Sequence, residues 1–322
     1  MNRFYKEGYE RLTEKERNVL LASLTDRHPG LEFKHFASFE RFGMHTDTAV
    51  YGLDDSEFVF VPGNTLTLGW HTFAEGFDVD TKQDVEETME EYEILDSEAW
   101  IRSLMSPVRT VSLPPMLVER KLREIGWRRV FSDSSELIDK WKVEIEKFEK
   151  SSSKMLIFDK KLRLSRSDAG TIVELYDPVS YEELLHNLRS QGFSLLTEDE
   201  WEYLCGGGSR TLWRWGDNFI YNMHLKHFEE AALQGMPYDL ELPNQFGICI
   251  AFDPYKYEVV DAPYFLKGGD GGSFICGGTG MAIGYLPTAT YFRLSYMDDE
   301  MEKVYKADIG GSYTFYRKVI KI

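Results

Sequence analysis

The sequence predicts an α+β fold, on three observations: helix starts marked by capping boxes, alternating β-branched runs joined at a Pro-Gly turn, and a tryptophan- and glycine-rich second half of short strands and irregular loops. A chain of 322 residues, 43% of them hydrophobic, can bury a core without help from disulfides or a structural metal.

Thr13 and Glu16 have capping-box spacing, and Val19, Leu20 and Leu24 fall on one side, so an N-terminal helix is expected over 13–24. From His45 to Trp70 the pattern alternates, with Thr46, Thr48 and Val50 followed by Phe58 to Val61. The turn at Pro62-Gly63-Asn64 divides two or three tightly joined strands. Between Asp80 and Ile145, the spacing of Leu117, Leu122 and Ile125, then of Leu137, Ile138, Trp141, Ile145 and Phe148, predicts helices interrupted at Pro114-Pro115 and at Ser132 to Ser135. EKSSSK, residues 149–154, reads as a flexible surface connection. A further helix carries Ser180 and Glu183 as its capping box, Tyr181, Leu184, Leu185 and Leu188 as its apolar stripe, and Gly192 as its stop. Thr197 with Glu200 starts another that runs into Gly206 to Gly208.

Lys plus Arg number 37 against 54 Asp plus Glu, a formal net charge of −17 that argues against nucleic-acid backbones as partners. The acidic run Asp84 to Glu93 reads as a solvated face. The charged N-terminus offers no secretory signal and no run is long enough for a membrane span, so a cytoplasmic protein is expected. Three cysteines, Cys205, Cys249 and Cys276, imply no disulfide framework, and each is expected to be a small buried hydrophobe.

Six segments carry a family likeness. FVFVPGNTLTLGW (58–70), SLLTEDEWEYLCGGG (194–208), WRWGD (213–217), NQFGI (244–248), GGSFIC (271–276) and FYRKVI (315–320) resemble, in order, the motifs of the formylglycine-generating (sulfatase-modifying factor) family. The resemblance implies a C-type-lectin-like domain over 51–322, loop-rich with little regular secondary structure. It leaves residues 1–50 as a helical extension and about 114–167 as a helical insertion. Each motif also has an architectural reading: capping box, apolar tryptophan, glycine turn.

In that family two nearby cysteines bind copper(I) and activate oxygen to oxidise a substrate cysteine. Here Ser273 and Cys276 match the serine and the first cysteine, but the second position is Met281. A thioether is a soft ligand yet neutral and weaker than a thiolate, so a Cys276–Met281 copper site is expected to be depleted. Cys276 is either that residual ligand or an incidental thiol. The family's calcium segment corresponds to residues 252–260, where Asp253 and Glu258 offer oxygen ligands but the family's Asn-x-x-Glu spacing is lost. Asn222 with the Met223 carbonyl resembles another calcium-contacting pair, and this calcium is expected to be absent. His224 and His227 lack the third ligand that the family's iron-dependent branch needs.

The resemblance therefore implies a binding or accessory protein that kept the fold and lost the oxidase, with Trp213, Trp215, Met281 and Arg293 around a peptide or small-molecule ligand. The alternative is a copper-dependent oxidase using Cys276.

Overall fold

The structure is a computed structural model that describes residues 2–130, 140–168, 170–228, 235–295 and 297–322. In chain order it holds α1 (Lys6–Glu10), α2 (Glu14–Ala22), β1 (Glu32–Arg41), β2 (Met44–Leu53), β3 (Ser56–Val61), β4 (Asn64–Leu68), α3 (Val79–Glu91), α4 (Ser97–Ser103), β5 (Arg109–Leu113) and β6 (Met116–Glu119). There follow β7 (Trp127–Val130), α5 (Lys142–Lys150), β8 (Met155–Phe158), β9 (Leu162–Ser167), β10 (Gly170–Tyr176) and α6 (Tyr181–Ser190). The last part carries α7 (Glu198–Gly206), β11 (Tyr257–Val259), β12 (Leu266–Lys267), α8 (Ser273–Cys276), α9 (Met281–Gly284), α10 (Asp299–Ala307) and β13 (Val319–Lys321). The α+β expectation holds. The chain divides into two compact units, one of Met1–Arg123, Leu185–Met297 and Phe315–Ile322, the other of Glu124–Leu184 and Asp298–Thr314.

In the larger unit, β1-β2-β3-β6-β13 form an antiparallel sheet, and β4 pairs with β5. β2 and β3 supply Val50, Val59 and Val61, which meet Met116 and Val118 of β6 and Trp201, Leu204 and Cys205 of α7 in one core. α7 starts where the Thr197 hydroxyl accepts from the Glu200 amide and the Glu200 carboxylate accepts from the Thr197 amide. It ends at Gly207, whose φ of 64° closes the helix in the left-handed region. From Gly207 to Ser295 the described elements are all short.

Leu117 lies on β6, between β3 and β13, and not on a helix. All four residues of that strand are buried, so the apolar run never alternates and its spacing mimics a helix face. Residues 32–41, read from the sequence within a helical extension, are the strand β1, whose period is interrupted by a register shift between Phe33 and His35. Helices in the N-terminal segment occupy 6–10 and 14–22, and the Thr13/Glu16 capping box is present.

The smaller unit holds a four-stranded sheet, β7-β10-β9-β8. Phe148 of α5 packs with Val130, Leu162, Leu164, Val173 and Leu175 in a core of its own. Among the described residues of the expected helical insertion, strand therefore outweighs helix, and α5 is the one described helix. Leu137, Ile138 and the segment 132–135 lie outside the described residues. Among the described residues no helix is long and apolar enough to cross a membrane.

Candidate functional site

The segment 270–284 is held in place before any side chain reaches solvent. Asp270, 1% exposed, accepts from the amides of Gly272 (2.8 Å), Ser273 (3.0 Å) and Phe274 (2.9 Å), which fixes the start of α8. Burial nonetheless raises its carboxyl above the usual range, because desolvation outweighs the three amides. The Ser273 hydroxyl donates to the Asp270 carbonyl (2.9 Å).

α3 clamps the other end. The Thr88 hydroxyl accepts from the Gly280 amide (3.1 Å), the Tyr92 hydroxyl donates to the Gly277 carbonyl (3.1 Å), and Asp84 accepts from the Ala282 amide (2.9 Å) and the Tyr221 hydroxyl (2.8 Å). Gly280 makes this approach possible, since a Cβ there would overlap the Asp84 carboxylate. Within the acidic run, Asp84, Thr88 and Tyr92 thus hold this turn, while Glu86, Glu87, Glu90, Glu91 and Glu93 are exposed, as a solvated face requires.

Cys276 ends α8 exposed, against the expectation of burial, and its thiol lies 2.8 Å from the Tyr255 hydroxyl. The Tyr255 ring packs on His227 at 4.5 Å, and Asp253 meets both His227 Nε2 (3.1 Å) and the Tyr255 amide (3.0 Å). Sequence spacing gave no sign of this cluster, because Tyr255 and Cys276 sit on different loops. Met281 opens α9, which packs against α8 and α3. The other thiols are elsewhere: Cys205 is fully buried and Cys249 half-buried, and burial raises both pKa values.

The carboxylates named for calcium are engaged by protein groups. Glu258, 2% exposed, accepts from Trp201 Nε1 (3.0 Å) and pairs with Arg317 through two guanidinium nitrogens, one of them at 2.9 Å. Asp253 is held as above, with Lys226 Nζ at 3.6 Å, and Asn222 is exposed. Such a set does not fit calcium, whose ligands must be free oxygen donors. Among the described residues no group of three His, Cys, Asp or Glu is arranged to hold a metal ion.

The residues named for ligand binding also make contacts within the protein. Trp213, 1% exposed, donates to the Tyr285 carbonyl (3.3 Å) and stacks on Trp215 at 5.7 Å. Trp215 is half-buried and donates to the Asn218 carbonyl (3.0 Å). Arg293 forms a bidentate pair with Glu198 (2.8 and 2.6 Å) under the Tyr264 ring. Neither family models nor curated proteins give a match to this chain.

Proposed function

We propose that this chain is a binding or accessory protein on a formylglycine-generating-enzyme-like, C-type-lectin-like frame, without cysteine-oxidase activity. The observation that carries the reading is the donor set at Cys276. One exposed thiol faces a tyrosine hydroxyl, its sequence partner is a thioether, and both remaining thiols are drawn inward with raised pKa values. Copper(I) oxygen chemistry of the family's kind needs two accessible thiolates, and this set does not fit it. What supports a binding role is the construction of the loop: Asp270 fixes one end, α3 the other, and Cys276 is presented between them on a rigid frame.

The test is a copper(I) titration against a chromophoric chelator, with wild type and Cys276→Ser, alongside incubation of a cysteine-containing peptide with copper and oxygen. The expected result is no tight stoichiometric copper and no peptide aldehyde. Aldehyde formation that is lost in Cys276→Ser overturns the proposal.

A further inference from the structure

A second concavity lies in the larger unit, between α1, α2, the β1–β2 turn and the end of α7, with a volume of about 440 Å³. Drug- and metabolite-sized ligands occupy cavities of this scale. Gln245 lines it, is 1% exposed, and finds no hydrogen-bonding partner among the described residues for either Oε1 or Nε2. Buried amides are almost always paired, so one that lacks both partners beside a cavity calls for an explanation.

Gln245 is also fixed in position. Its neighbour Asn244 donates to the Leu204 carbonyl (2.7 Å) and accepts from the amides of Phe246 (3.0 Å) and Ile248 (3.2 Å), locking the turn onto the end of α7. Opposite stands Gly207, whose added Cβ would lie 2.7 Å from Gln245 Nε2 and 2.6 Å from the Met44 sulfur. Met44, which also lines the cavity, and Gly207 cover the amide, so a ligand reaches it by displacing the flexible Met44 side chain.

A carboxamide presents one donor and one acceptor side by side, which matches the adjacent acceptor and donor on the edge of a nucleobase. Apolar surface is at hand: Tyr203 and Phe246, packed on each other with ring centres 5.2 Å apart, both contribute to the cavity lining. The rim carries both signs. Arg17 pairs with Asp47, and Lys6 lies 3.9 Å from Glu10, so no unopposed cationic field awaits a phosphate.

We infer that this cavity binds a small neutral heterocycle of the nucleobase or nucleoside class, read by the amide of Gln245. The inference rests on neither the family likeness nor Cys276, so it stands or falls apart from the proposed function.

Calorimetric titration of the full chain with adenosine, guanosine, cytidine, uridine and the free bases tests it. At least one should bind saturably at sub-millimolar concentration. Gln245→Leu should weaken that ligand at least about tenfold while leaving Tm unchanged or raising it, because the substitution removes two unpaired buried atoms. Gln245→Glu, which keeps the acceptor and loses the donor, should also weaken it. The inference is overturned if no base or nucleoside binds, if Gln245→Leu binds as wild type, or if Gln245→Leu lowers Tm, which would mean that the amide is satisfied within the fold. Tighter binding of the 5′-monophosphate than of the nucleoside would overturn the neutral-ligand assignment.

Discussion

At the residue scale, Glu258 separates an architectural role from a metal-binding one. Its carboxylate and the Arg317 guanidinium are both almost wholly inaccessible, and Arg317 also donates to the carbonyls of Glu119 (3.1 Å) and Cys249 (2.9 Å). Removing one partner of such a pair leaves a buried charge without compensation, a loss of roughly 3–5 kcal/mol. Glu258→Gln is therefore expected to lower the urea-unfolding free energy by an amount of that order. Added calcium or chelator should leave the wild-type midpoint unmoved. A calcium-dependent midpoint that vanishes in the variant would return Glu258 to the role that the sequence suggested.

At the scale of elements, legibility followed the range of the interaction. Capping boxes span three residues, so Thr13/Glu16, Ser180/Glu183 and Thr197/Glu200 were all readable, and each is formed. β6 was not readable, because it is a central strand whose side chains are buried on both faces, which erases the period-2 signal. The candidate site failed to show for a related reason. Cys276 meets Tyr255, and α3 meets the Gly277–Ala282 turn, across long stretches of chain that no local pattern encodes. That second contact is also testable. In Gly280→Ala the new methyl would displace Asp84 and disturb its bonds to Ala282 and Tyr221. Overpacking of this kind costs about 1–3 kcal/mol. Hydrogen exchange should accelerate at residues 277–284 and along α3, while β8–β10 exchange as in wild type.

At the scale of the whole molecule, a formal charge of −17 implies self-repulsion at neutral pH, which acidification relieves. The larger unit opposes that trend through α7. Glu198 pairs with Arg293, Glu202 with Lys267 (3.1 Å) and Arg109 (3.0 Å), and Lys267 itself is fully buried. Burial pushes the Glu198 carboxyl up, but the hydrogen bond from Arg293 and the charges of Lys267, Arg293 and Arg109 outweigh it, and its pKa is lowered. A carboxyl depressed on folding stabilises the native state above its unfolded pKa, and that stabilisation is lost as pH falls through the folded value. Asp270 works in the other direction. Its folded pKa is raised, so protonation favours the native state as pH falls toward the ordinary aspartate value. Wild-type stability should hold or rise slightly on mild acidification and then fall below about pH 4, where Glu198 protonates in the unfolded chain while its folded carboxyl still resists. In Glu198→Gln, urea midpoints across this range should start lower at neutral pH and fall less steeply on the acid side. Because the pairs are largely buried, added salt should change that contrast little. An acid limb as steep in the variant as in wild type would show that the α7 ion pairs do not govern acid stability.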